Sequence, residues 1–202
     1  MQIFEVNLSQ ANAHAALKFI LGKALGQKPE QIKIQHADSG KPWHPDIYFS
    51  LSHSQNRALI VVSSKYPVGI DLEFIRPIPQ ALNIARRFFA PCEYEALVNR
   101  HPGPRAGVQH WIPGQARDDS LFFDIWTAKE ALIKAKGLRL LEHIRTEVAW
   151  PRPGDARYQL VNLPSPLGGE GSGVRSAHLA FQGTKDTLKN LHVSNFCFEH
   201  YL

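Results

Sequence analysis

Two carboxylates stand two residues apart in Val68-Gly-Ile-Asp-Leu-Glu. On a strand, Asp71 and Glu73 project from the same face and share one small volume. Such crowding is unfavourable unless solvent or a cation screens it, and hard oxygen ligands so arranged suit Mg²⁺, which also accepts phosphate oxygens. A solvated strand edge is the plainer account of an isolated D-x-E.

A second group lies in Trp126-Thr-Ala-Lys-Glu-Ala-Leu-Ile-Lys-Ala. Trp126, Glu130 and Lys134 fall at i, i+4 and i+8 and so share one helical stripe. Glu130 and Lys134 alone would read as a surface pair of little worth. Trp126 on the same stripe argues that the stripe faces protein or ligand.

The third group is Phe49-Ser-Leu-Ser-His-Ser, preceded by Gly40-Lys-Pro-Trp. Hydroxyls, an imidazole and an ammonium on a strand and its approach are phosphate-binding groups. A serine-hydrolase reading is disfavoured. No G-x-S-x-G elbow is present, and Ser52 and His53 are neighbours that point to opposite strand faces.

The elements that must position these groups follow from periodicity. Apolar residues at helical spacing predict a helix over 11–25 that stops at Gly26. Strands are predicted over 32–34, 47–51, 59–63 and 68–72. A stiff connector carries Pro77 and Pro79. Beyond it, helices are predicted over 81–89, 93–99 and 121–135, and strands over 145–150, 157–163, 177–182 and 191–199. The expectation is an α+β chain of two similar halves, residues 1–75 and 76–202. Stretches 101–120 and 164–175, rich in Pro, Gly and Ser, read as loop insertions without chemistry.

Composition sets the class. With 44% apolar residues among 202, the chain can bury a substantial core. No run of about 18 apolar residues and no secretory leader pattern is visible, so a cytoplasmic protein without a membrane partner is expected. Cys92 and Cys197 are too few for a disulfide framework and are expected as buried apolar thiols. The net charge of +5 favours an anionic partner. The basic residues are scattered without aromatic interleaving, which argues against nucleic acid.

Taken in order, G-K-P, F-S-L-S-H-S, G-I-D-L-E and W-T-A-K-E-A-L-I-K resemble the signature of the 4'-phosphopantetheinyl transferase, or holo-acyl-carrier-protein synthase, superfamily. The likeness is to the longer, single-chain type that activates peptide-synthetase and acyl carrier proteins. It spans roughly residues 40–137 and includes Ile84-Ala-Arg-Arg-Phe-Phe after the D-x-E.

The resemblance implies a pseudo-dimer of two halves, each a helix packed on a small antiparallel sheet. Coenzyme A would lie in the cleft between them, with an apo acyl or peptidyl carrier protein docking at its mouth. Asp71, Glu73 and Glu130 would hold Mg²⁺, or alternatively Mn²⁺, together with the coenzyme A pyrophosphate. Lys134 and Lys129 would neutralise phosphate charge, and Lys41, Ser52 and His53 would hold the nucleotide end. Glu130 would take the proton of the attacking serine. A pseudo-dimer already buries its internal interface, so a monomer is expected.

Two departures accompany the likeness. Relatives of this type carry a basic stretch ahead of the first helix. Here Met1-Gln-Ile-Phe-Glu-Val runs directly to it, with Lys18, Lys23 and His14 as local substitutes, so weak coenzyme A affinity is expected. The chain also stops at Cys197-Phe-Glu-His-Tyr-Leu202, which predicts an unpaired sheet edge. Two rivals stay open: a decayed or regulatory relative that binds without turnover, and a Mg²⁺-dependent phosphatase or nuclease using the same carboxylates.

Overall fold

The computed structural model describes residues 1–9, 12–100, 116–150, 153–163, 175–183, 187 and 191–196. Strand β1 (Gln2–Asn7) leads to helix α1 (Ala13–Leu25). Asn12 caps that helix, its Oδ1 accepting the His14 N–H at 2.8 Å. Gly26 ends it at φ 66°, a left-handed conformation that glycine adopts without a Cβ penalty.

A short hairpin of β2 (Gln35–His36) and β3 (Pro42–Trp43) precedes β4 (Tyr48–Ser54), β5 (Arg57–Ser63) and β6 (Val68–Phe74). Helices α2 (Ala81–Phe88), α3 (Pro91–Arg100), α4 (Ala116–Lys136) and α5 (Leu140–His143) follow, then β7 (Tyr158–Asn162), β8 (Arg175–Gln182) and β9 (His192–Phe196).

The strands form a four-stranded sheet ordered β4-β5-β1-β9 and a three-stranded antiparallel sheet ordered β6-β8-β7. Helix α1 buries Leu17, Ile20 and Leu21 on one face of the first sheet, against Phe49, Ile60 and Val62. The other face of that sheet, with Ile3, Leu59 and Val61, packs on Val68, Ile70, Leu72, Leu179 and Phe181 of the second. On the far side, Ala128, Ala131, Leu132 and Ala135 of α4 pack with Ala180. The result is a helix, sheet, sheet, helix stack of the α+β class. None of the described helices is long and apolar enough to cross a membrane.

Several expectations are corrected. Residues 32–34 are not a strand: a 3-10 turn at Pro29–Gln31 precedes them, and Ile32 drops into the first core. Residues 145–150 are not one either, because the N–H groups of Ala149 and Trp150 donate to the Glu93 carboxylate and not to a neighbouring strand. Strand β1 was not foreseen. Strand pairing links the two expected halves: β6 joins the second sheet, and β9 runs parallel to β1 in the first.

Within the expected insertions, residues 116–120 are helical and Arg175 opens β8, while 101–115 and 164–174 lie outside the described residues. Cys92 is exposed, not buried. Cys197 and the chain end after it also lie outside the described residues.

Candidate functional site

The site forms where three elements meet, and the alternation of β4 is its first determinant. Phe49 and Leu51 face α1, so Ser50, Ser52 and Ser54 face the second sheet. They meet β6, an edge strand whose outward N–H groups need acceptors. Ser50 Oγ accepts the Ile70 N–H and Ser54 Oγ the Phe74 N–H, each at 3.1 Å. Between them Ser52 Oγ donates to Asp71 Oδ1 at 2.7 Å, and Ser54 Oγ also donates to Glu73 Oε2 at 3.2 Å.

Helix α4 crosses β6 at Gly69. A Cβ there would lie 2.1 Å from the Ala131 carbonyl oxygen and 2.9 Å from the Lys134 Cβ. Only glycine lets the helix backbone come this near, and that approach carries Glu130 and Lys134 onto Asp71. Lys134 Nζ lies 2.6 Å from Asp71 Oδ1 and 3.4 Å from Glu130 Oε2. It also donates to the Ile70 carbonyl and to Ser52 Oγ, both at 3.4 Å.

The charges respond to one another. Burial works against the Lys134 ammonium, but Asp71 and Glu130 outweigh it and lift its pKa. Burial first, and then the charge of Asp71, raise the Glu130 carboxyl to about 7, with Lys134 opposing. Glu73 is raised by burial and then by Asp71, against Ser54 and the Arg76 guanidinium 3.7 Å away.

This arrangement fits a divalent cation in its chemistry. The Asp71 charge raises both Glu130 and Glu73, a repulsion that a cation relieves, and Asp71 Oδ2 is buried with no hydrogen-bond partner. The cage is not preformed, since among the described residues no three acidic, imidazole or thiol groups converge as ready ligands. Asp71 and Glu130 meet at Lys134, while Glu73 turns to Ser54 and Arg76.

A pocket of about 250 Å³ opens beside this cluster, lined by Lys41, Phe49, Leu51, Glu130, Ile133 and Lys134 among others. Lys41 enters it on the turn set by Gly40 at φ 82°. Its ammonium donates to the Val68 carbonyl at 3.2 Å and to the Lys134 carbonyl near the end of α4. Burial and then the Lys134 charge push it down to about 8.

The remaining expected residues divide. Ser52 is in the cluster, but its hydroxyl is committed to Asp71. His53 is exposed on the opposite face of β4. Lys129 is not brought to the cleft. Its side chain has no exposure, and Nζ lies 2.5 Å from Glu93 Oε2, also donates to the Glu147 carbonyl and sits 5.9 Å from the Phe89 ring centroid. Burial pushes this ammonium down and Glu93 opposes the push.

Trp126 stacks on Phe122 at 5.9 Å, so the Trp126 end of the stripe faces protein. The sequence reading took the hydroxyls of 50–54 for phosphate-binding groups without foreseeing that Ser50 and Ser54 bond β6, and it missed Gly69. Their signal was the alternation of serines in 50–54 and a glycine two residues before the acidic pair. It also missed Thr127, which bonds Ser176 Oγ at 3.0 Å and His178 Nδ1 at 2.9 Å, where His178 stands opposite Asp71 in the β6–β8 register.

Known proteins resemble this chain in sequence. The family model of the 4'-phosphopantetheinyl transferase superfamily matches residues 67–167, a span that begins at β6 and includes α4. The 4'-phosphopantetheinyl transferase HetI of Nostoc is 36% identical over 149 residues, which is 71% of this chain and 57% of that protein. A putative 4'-phosphopantetheinyl transferase of Synechocystis is 35% identical over 60% of this chain and 46% of its own length. A 4'-phosphopantetheinyl transferase of Bacillus subtilis is 36% identical over 58% and 48%. The chain thus spans about half the length of the curated relatives it matches. With the matched span holding Asp71, Glu73, Glu130 and Lys134, the chain belongs to the 4'-phosphopantetheinyl transferase superfamily.

Proposed function

We propose that this chain transfers the 4'-phosphopantetheine group of coenzyme A to a serine of an apo carrier protein, with release of 3',5'-ADP. The observation that carries the reading is Lys134 Nζ, set between Asp71 and Glu130 at the rim of a pocket. An ammonium and a cation-binding carboxylate cluster side by side suit a pyrophosphate.

In this reading Asp71, Glu73 and Glu130 hold Mg²⁺, which when bound supplies charge to stabilise the pyrophosphate in transfer. Lys134 turns its ammonium to a phosphate oxygen, a contact that strengthens as negative charge builds on the leaving group. Lys41 borders the nucleotide end, and the apolar floor of Phe49, Leu51 and Ile133 excludes water from it. Glu130, on the wall of the pocket, accepts the proton of the attacking serine hydroxyl. That serine oxygen forms a bond to the phosphorus bearing pantetheine as the bond to the 3',5'-ADP oxygen breaks. The two helix-on-sheet layers are read as the two related halves of a monomeric pseudo-dimer acting in the cytoplasm.

Intact mass spectrometry of an apo acyl carrier protein, incubated with the chain, coenzyme A and Mg²⁺, tests the reading. A phosphopantetheine mass gain that EDTA prevents supports it. Carrier proteins left unmodified, with coenzyme A still bound by the chain, would favour a binding relative without turnover. Hydrolysis of coenzyme A without any carrier would favour a phosphatase-type activity.

A further inference from the structure

We infer that the alternate hydroxyls of β4 are positioning residues for the cation-binding carboxylates, with Ser54 aiming Glu73 and Ser52 aiming Asp71. The inference rests on the reading of Asp71 and Glu73 as cation ligands. It adds residues outside that ligand set and gives Ser52 a different task from holding nucleotide.

Three serines at one spacing do two different jobs. Ser50 bonds only the backbone, accepting the Ile70 N–H. Ser54 accepts the equivalent Phe74 N–H at the same 3.1 Å and in addition donates to Glu73 Oε2. Ser52 donates to Asp71 Oδ1 and leaves Asp71 Oδ2 buried without a partner. A carboxylate with one oxygen fixed by a hydroxyl has its second oxygen aimed, which is how outer hydrogen bonds orient metal ligands. At Glu73 the hydroxyl has a further effect. Arg76 lies 3.7 Å from the same Oε2, on the exposed side, and Ser54 holds the carboxylate on the β4 side against that pull. The packing of the inner face of β4 on β6 therefore transmits the pleat of β4 to the ligand geometry of β6.

The serines supply their own control. Ser50→Ala and Ser54→Ala each remove one bond to a β6 N–H, Ser50 from the more buried position, so Ser50→Ala controls for the loss of that bond. Only Ser54→Ala and Ser52→Ala also release a carboxylate.

The experiment is a Mn²⁺ titration of the full chain, with no coenzyme A, followed by the free-Mn²⁺ electron paramagnetic resonance signal. Thermal melts of each variant accompany it. Wild type is expected to bind saturably and Asp71→Ala to lose binding. Ser52→Ala and Ser54→Ala are expected to bind about tenfold more weakly, the lower end for outer-shell changes. Ser50→Ala should stay within about twofold of wild type, and Ser54→Thr, which keeps the hydroxyl, should recover the affinity of wild type. Equal affinity in wild type and both carboxylate-facing variants, or an equal loss in all three alanine variants, overturns the positioning role while leaving the cation site standing. Absence of saturable binding in wild type overturns the cation site and this inference with it.

Discussion

Gly69 and Ala131 touch backbone to backbone: a methyl group on Gly69 would come within 2.1 Å of the Ala131 carbonyl oxygen. This contact fixes how far α4 can settle on β6, and so whether Lys134 reaches Asp71. Gly69→Ala has no flexible side chain to displace. Overpacking of this kind costs about 1–3 kcal/mol. Urea unfolding should show that loss, and transfer should fall with it, because the helix bearing Glu130 and Lys134 must shift. An unchanged midpoint would mean that the two backbones are not held together.

Lys129 and Lys134 separate stability from function. Lys129→Ala leaves the buried Glu93 carboxylate without its cation, a loss of about 3–5 kcal/mol for a broken buried pair. Its melting temperature should drop sharply. Lys134→Ala should cost less, since its side chain is 29% exposed and Ser52 still donates to the Asp71 carboxylate it leaves, and it should raise the KM for coenzyme A. A Lys129 variant of normal stability but raised KM would reverse this assignment.

The pH dependence of the metal-free protein follows from Glu130 and Glu73, whose carboxyls are raised above 4.5, Glu130 to about 7. A carboxyl that holds its proton more tightly when folded favours the folded state at low pH. That advantage is lost as pH rises through the unfolded value of 4.5 toward 7. Thermal melts in EDTA should therefore fall over this interval, and less so in Glu130→Gln. Added Mg²⁺ should raise the melting temperature at pH 8, where the carboxylates are charged, and hardly at all at pH 5. An equal Mg²⁺ effect at both values would contradict the carboxylate site.

Strong local patterns made much of this arrangement legible in the sequence. The 3.6-residue spacing over 11–25 and the stop at Gly26 correspond to α1, and the 126, 130, 134 stripe placed two of the site residues together. What escaped depended on distant partners. Strand β1 hides because Glu5, at an apolar-looking position, is buried and paired 3.1 Å from Arg57 of β5. Strand β9 finds its place only through parallel pairing with β1, across nearly the whole chain. Lys129 lies one residue from Glu130, yet about 100° of helical turn sends it into the aromatic core beside Glu93. The serines of β4 carried a visible period of two, but that pattern does not say that β6 would stand opposite them.

The most direct measurement compares wild type, Asp71→Ala and Glu130→Ala in forming holo-carrier protein from coenzyme A with Mg²⁺, read by intact mass, with circular dichroism on each chain. Both variants should remain folded, since each removes a site carboxylate and little core volume. They should lose transfer by at least about a hundredfold, consistent with removal of a metal ligand or proton acceptor. Wild-type rates in either folded variant would contradict the placement of the reaction at the β6–α4 junction.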